Sequence, residues 1–284
     1  MAELLLVIGG AAAGIFGALL GLGGGVLIVP LLTLGFGLPL REAVGVSLVC
    51  VIVTSSAAAS VYLQRDQANL RLGMTLEMFT AIAALAGGLV AFLVPDRVLA
   101  VMFAALLLYV AVTMARSRPP TPAENDDSGI ASGPGPVPGP DRGPNAEPEG
   151  RDLAAALSGP GYRIHSLGRG VAGSLLAGVV SALFGVGGGI VKVPVMNLVM
   201  GVPLRVATAT SNLMIGVTAS AGGLVYLFRG GIDPYVAAPT AVGVFVGASL
   251  AARLADRVDT RMLRLLFGAT LVFTALQMAL RAIQ

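Results

Sequence analysis

Charge is what this chain has least of. Aspartate, glutamate, lysine and arginine together make up 12% of it, where a water-soluble domain carries about a quarter. That shortage excludes a surface solvated by water over most of its area. The single cysteine, Cys50, lies inside an apolar run, which excludes an intramolecular disulfide framework and a thiolate zinc cluster. The single histidine, His165, lies in a polar stretch, so histidine-based metal chemistry is not expected. No Gly-Lys-Ser/Thr follows either of the chain's glycine runs, which excludes a phosphate-cradling Walker loop. The apolar runs hold no paired aspartates, metal-ligand cluster or Ser–His pair. Neither an enzyme nor a cofactor is therefore expected.

What remains is apolar. Hydrophobic residues make up 56% of the chain, and its mean hydropathy is +0.87. Several runs reach the roughly 20 residues that cross a 30 Å hydrocarbon core. The composition predicts an all-α polytopic membrane protein. Its net charge of +3 rests on arginines that lie mostly in loops, where positive-inside bias and lipid headgroups account for them and nucleic acid is not needed. The opening MAELLLVIGGAAAG lacks a positively charged leading segment and is read as a retained helix, not a signal peptide.

The chain also says one thing twice. The stretch Gly17–Leu63 reappears at Ser181–Leu227 without a gap, with roughly half the positions identical. Each copy carries a glycine run, Gly21-Leu22-Gly23-Gly24-Gly25 and Gly185-Val186-Gly187-Gly188-Gly189, followed by Pro30 or Pro194. Duplicated apolar halves with interrupted helices are the mark of a secondary transporter. Residues 1–115 are expected to form one membrane repeat and residues 167–284 the other. Residues 116–166, dense in Pro, Gly and acids, are expected to be a disordered linker, because such a composition buries too little apolar area to fold. About eight full spans and two short, glycine-interrupted half-helices, Val26–Leu38 and Ile190–Val202, are predicted.

Arginine placement chooses between parallel and inverted repeats. If each broken pair enters the bilayer and returns, Arg65, Arg71, Arg116, Arg118, Arg163, Arg169, Arg205, Arg253, Arg257, Arg261 and Arg264 share one face, while Arg41, Arg97, Arg229 and Arg281 take the other. Otherwise the two faces nearly balance. The positive-inside rule favours the inverted arrangement, with the linker cytoplasmic and both termini outside.

Three sets of residues are candidates for chemistry. The first is Gly23, Gly24 and Gly25 with Gly187, Gly188 and Gly189. Glycine permits torsions closed to other residues, and a helix break leaves backbone N–H groups without helical partners, suited to an anion. Tight helix packing is the plainer reading of a lone glycine pair, but not of two matched runs. The second is Lys192, whose repeat mate is Ile28. A charge at membrane depth is a functional candidate by default, either neutralising an anion or coupling to protons, with snorkelling near a helix end as its alternative. The third is a hydroxyl-rich helix start: Ser47, Thr54, Ser55 and Ser56 in the first half, and Thr208, Thr210, Ser211, Asn212 and Thr218 in the second. Glu77 reads as an interfacial residue or a proton site, and Arg41 and Arg205 as anchors. Asp233, before Pro234, reads as a turn residue.

These motifs, GALLGLGGG at Gly17–Gly25 and SALFGVGGG at Ser181–Gly189, with REAVGVSL at Arg41–Leu48 and RVATATSN at Arg205–Asn212, resemble the TauE/SafE sulfite exporter family. The likeness covers both halves but not the linker, which is longer and richer in Pro and Gly than is usual there. It implies a permease of the cytoplasmic membrane for sulfite, sulfoacetate or related sulfur anions, with the glycine breaks, their prolines and the hydroxyl cluster as the central site. Lys192 maps onto no general family motif. The expected partners are a small anionic substrate, protons as a candidate coupling ion, and the lipid bilayer, with a homodimer as a candidate assembly. An anion channel, or a carrier of an unrelated small anion, is the alternative.

Overall fold

A computed structural model describes residues 2–20, 23–64, 68–116, 157–158, 162, 164–254 and 260–283. Among the described residues every regular element is helical. The first half comprises α1 (Ala2–Leu20), α2 (Gly25–Pro30) with a π-helical turn (Leu31–Gly35), α3 (Leu40–Gln64), α4 (Leu70–Leu93) and α5 (Asp96–Arg116). The second comprises α6 (Leu167–Phe184), α7 (Gly189–Pro194) with its π-helical turn (Val195–Val199), α8 (Leu204–Phe228), α9 (Pro234–Leu254) and α10 (Thr260–Ile283). Apart from frayed ends, each element recurs at one constant offset. Six of these helices are long and apolar enough to cross a membrane, namely α3, α4, α5, α6, α8 and α9. Apolar stretches in α1, α2, α7 and α10 are shorter. The chain is a multi-pass membrane protein.

Packing follows the same exchange. Helix α1 packs on α9 and α4 on α6; α3 pairs with α8 and α5 with α10; α8 meets α4 as α3 meets α9. The halves therefore interlock, each lending its fourth helix to the other. Small residues make this close. A Cβ on Gly10 or Gly14 of α1 would lie 2.5 Å from the carbonyl oxygen of Thr240 or Val244, and one on Gly243 or Gly247 of α9 would lie 2.1 Å from that of Val7 or Ala11. Spacing by four on both helices forms the small-xxx-small seam that lets backbones touch where no hydrophobic effect drives association.

Several helix boundaries differ from the sequence expectation, for local reasons. Pro39 and Pro203 immediately precede α3 and α8, so Arg41 and Glu42 lie in a first turn and not in a loop. Hydropathy alone suggests that the span after the polar loop begins at Met74, but helix α4 begins four residues earlier, at Leu70. Asn69 caps it, its side-chain oxygen accepting from the Leu72 N–H at 3.0 Å. Asp233 accepts from the Tyr235 N–H at 2.9 Å at the start of α9, as its turn position suggested.

Most of the expected linker lies outside the described residues. Its final part does not stand apart from the helices. Leu157 and Ile164 are buried against Leu72, Leu76, Met196 and Met200. Asn69 donates to the Leu157 carbonyl at 2.8 Å and to the Tyr162 hydroxyl at 2.7 Å.

Candidate functional site

The two glycine breaks meet. Gly23 and Gly24 hold φ of 75° and 76°, and Gly187 and Gly188 hold 79° and 73°. Two successive left-handed residues are accessible at low cost to glycine alone. A Cβ on Gly23 would approach Ile215 Cγ2 and Val51 Cγ1, and a Cβ on Gly187 would approach the same two atoms. Val51 and Ile215, repeat mates on the central helices α3 and α8, thus separate the breaks. Gly25 touches the opposite break directly, since a Cβ there would fall 2.1 Å from the Gly185 carbonyl oxygen. Gly189 is buried as the first residue of α7.

Each short helix ends at its proline. Pro30 and Pro194 have no N–H for the turn behind them, and a wide turn follows each. The pieces so formed run 11 residues, residues 25–35 and 189–199, which is about 16 Å of rise.

The hydroxyl cluster divides into distinct roles. Ser47 donates to the Gly185 carbonyl at 2.7 Å, joining α3 to the second break. Ser55 donates to the Asn212 carbonyl at 2.6 Å, while Thr54 and Ser56 bond carbonyls of their own helix. Thr210 faces away from the breaks and accepts from the Asn69 N–H at 2.9 Å, and Thr208 is half-buried one turn into α8. Ser211 belongs to the stripe Ser211, Ile215 and Thr218, whose i, i+4, i+7 spacing places it on the face that meets the breaks. Among the described residues, Ser211 Oγ, Ser181 Oγ and Asn212 Nδ2 are buried without a hydrogen-bond partner. Buried polar atoms are seldom left so. Ser181 lies beside Gly188, where a Cβ would come within 3.3 Å of its own. Its repeat mate is Gly17, so sequence reasoning passed over it.

Lys192 is neither snorkelling nor unpaired. It is 1% exposed, and its backbone N–H bonds the Gly188 carbonyl at 3.0 Å, which roots it in the first turn beyond the break. Its Nζ donates to Glu77 Oε2 at 2.8 Å and to Thr218 Oγ1 at 2.6 Å. Thr218 in turn donates to Glu77 Oε1 at 2.5 Å. The three side chains close a ring. Glu77, read as an interfacial residue or a proton site, is 7% exposed and faces a cation. Because α4 starts a turn earlier than expected, Glu77 sits about 10 Å along the helix axis from its first residue. One signal was available in the sequence, since Glu77 is the acid that falls deepest inside an apolar run. Nothing there named its partner.

The repeat mates of the triad are Ile28, Ala241 and Thr54, so the first break carries no counterpart of the ion pair. Polarity gathers around the second break, although one member of the triad comes from the first half. Arg41 ties loops together: its Nη2 donates to the Val94 carbonyl at 2.5 Å, and its Nε lies 3.0 Å from Asp96. The side chain of Arg205 lies outside the described residues. A cavity of about 500 Å³ between α1, α2 and α10 is lined by Phe16, Leu27, Leu31, Phe267 and Phe273. It includes Pro30 but none of the other candidate residues, and its lining suits alkyl chains, not an anion.

One consequence is testable at once. Ser47→Ala strips the Gly185 carbonyl of its donor, and we predict a loss of about 1–3 kcal/mol. The check is the denaturation midpoint in detergent. An unchanged midpoint would show that water or another donor replaces the hydroxyl.

Comparison with known proteins places this geometry in context. No solved structure matches the chain. The "Probable membrane transporter protein YunE" of Bacillus subtilis is 23% identical over 285 residues, covering 98% of this chain and 97% of its own length. The "Probable membrane transporter protein MJ0441" of Methanocaldococcus jannaschii is 25% identical, covering 97% and 95%. A shorter match of 111 residues at 31% identity, 37% of this chain and 26% of the other, is to the "Sulfite exporter TauE/SafE family protein 6" of Arabidopsis thaliana. The family model "Sulfite exporter TauE/SafE" matches residues 6–278. With nearly its whole length under that model, the chain belongs to the sulfite exporter TauE/SafE family.

Proposed function

We propose that this protein is a secondary transporter of the cytoplasmic membrane that carries a small anion, a sulfur oxyanion such as sulfite or a short organosulfonate. The observation that carries the reading is the convergence of the two breaks on Val51 and Ile215, with the unpartnered buried hydroxyl of Ser181 beside Gly188 and the Ser211 hydroxyl and Asn212 Nδ2 buried without partners on α8. An oxyanion needs several donors and one compensating charge. Hydroxyls, an amide and the backbone N–H groups opening α2 and α7 supply the donors, and Lys192 supplies the charge. Gly23–Gly25 and Gly187–Gly189 bring those backbone groups close enough to serve.

The interlocked packing of the halves supports alternating access as the mechanism. Inverted repeats related by a two-fold axis can exchange conformations, so that the bundle opening to one side becomes the bundle opening to the other. The test is counterflow in liposomes preloaded with unlabelled sulfite or a short sulfonate. Labelled anion should enter transiently against its gradient and saturate with concentration. Flux without saturation or counterflow would assign a channel instead, and no flux under any gradient would remove the anion reading.

A further inference from the structure

We propose that Glu77 is the proton-carrying group of this transporter: substrate anion and Glu77 carboxylate compete for Lys192, and each anion bound is accompanied by one proton on Glu77. The inference rests on the anion reading above and deepens it.

The ring leaves no spare charge. Glu77 Oε2 and Thr218 Oγ1 take two of the three Lys192 N–H groups, and the Thr218 hydroxyl satisfies Glu77 Oε1. In this arrangement Lys192 offers an anion little net attraction, since its charge is already neutralised 2.8 Å away. Yet Lys192 is rooted on Gly188, in the turn that opens the second break, and it is the buried cation beside that break among the described residues. An anion arriving there must take it from Glu77.

Releasing Glu77 as a carboxylate would leave a buried, uncompensated charge, which costs several kcal/mol. Taking one proton from water removes that cost. The carboxyl oxygen gains an O–H bond, Lys192 keeps its proton, and the anion replaces the carboxylate as its counter-charge, so with a monoanion the net charge of the site does not change.

Thr218 is built to follow this switch. Its Oγ1 lies 2.5 Å from Glu77 Oε1 and also 3.2 Å from the Met214 carbonyl oxygen. With Glu77 ionised, the Thr218 hydroxyl donates to the carboxylate. With Glu77 protonated, the new O–H donates to Thr218, whose own hydrogen turns to the Met214 carbonyl. Every polar atom is satisfied in both states, apart from the lysine hydrogens handed to the anion. The first break, with Ile28, Ala241 and Thr54 at the matching positions, has no titratable group to do the same, so a single proton is coupled.

Among the described residues no other titratable group competes. Glu77 on α4 is packed by α6, α7 and α8. Arg71 at the start of α4 and Arg169 at the start of α6 are exposed, as is Arg229 after α8. Tyr226 on α8 donates to the Ala182 carbonyl at 3.0 Å. Only Lys192 faces the carboxylate among the described residues.

The experiment measures binding of methanesulfonate and sulfate, whose charges do not change between pH 6 and pH 8, to the full-length purified protein. While free Glu77 is ionised, wild-type affinity should rise about tenfold for each unit of pH lowered, since one proton is bound per anion. Glu77→Gln keeps Lys192 unneutralised at every pH, so its affinity should lose that slope and match or exceed the wild-type value at acid pH. In parallel, titration calorimetry of the wild type in two buffers of different ionisation enthalpy should report uptake of one proton per anion. That arm needs no variant and stands if Glu77→Gln does not fold. Saturable wild-type binding without pH dependence, no proton uptake, or an unchanged slope in Glu77→Gln would each overturn the coupling while leaving the anion reading intact. No binding of either anion by wild type at any pH would overturn both.

Discussion

Lys192→Met is expected to destabilise the purified protein by about 3–5 kcal/mol, the usual cost of removing one partner of a buried ion pair. The loss arises from what stays behind. Glu77, 7% exposed, would retain only the Thr218 hydroxyl, and water has little access to it. That cost is a large part of the about 5–15 kcal/mol that holds an ordinary domain folded. Glu77→Gln should be destabilised too, by a smaller amount, because glutamine still accepts from Lys192 through its amide oxygen. The double variant Glu77→Leu with Lys192→Met removes both charges and should recover most of the loss. A cycle over the four proteins should therefore give a coupling of several kcal/mol. Denaturation in detergent provides the measurement, and additive single effects would mean that the pair is not formed in solution. A ligand adds a further expectation: anion should raise the midpoint of Glu77→Gln more than that of the wild type, because it supplies the missing counter-charge.

Gly25→Ala is expected to have the second large effect. Its Cβ would be placed 2.1 Å from the Gly185 carbonyl oxygen and 2.9 Å from Ser47 Oγ. The first of these is backbone and is itself held by the Ser47 hydroxyl, so it cannot swing aside as a side-chain tip could. Overpacking of this kind costs about 1–3 kcal/mol. Alanine's better helix propensity returns at most about 1 kcal/mol. More important, relief requires the two breaks to move apart, which should abolish transport even where folding survives. Gly168→Ala is the matched control, because nothing lies within 4 Å of its added Cβ and its helix should gain slightly. Counterflow and denaturation midpoints on both variants separate the two effects. Retained counterflow in Gly25→Ala would show that contact between the breaks is not needed for the cycle.

How much of this was readable in advance varies from residue to residue. The breaks were plain, because a triple glycine and a trailing proline conflict with an uninterrupted helix in any context. Lys192 was plain as the lone lysine in an apolar segment. The hydroxyl cluster was readable as a set but not in its roles: Thr210 holds the loop before α4, Ser47 holds a break, and Ser211 is unpartnered. Those differences depend on which way each side chain faces across helices far apart in sequence. Ser181 was missed because it stands where the other copy has glycine, and a single serine in a membrane helix carries no signal. Glu77 carried no sign of its partner, because that partner lies on a helix of the other half.

The sequence by itself determined that the chain is an apolar, duplicated helical protein whose two copies break at matching glycines. These are consequences of composition and local backbone preference, and they need no knowledge of neighbours. The tertiary structure decided what those breaks adjoin. Because α4 of the first half packs on α6 and α8 of the second, Glu77 meets a lysine 115 positions away. The same interlocking sets Val51 and Ile215 between both breaks. Contacts of that kind follow from helix packing across the whole bundle, where burial and steric fit select partners that no local pattern encodes.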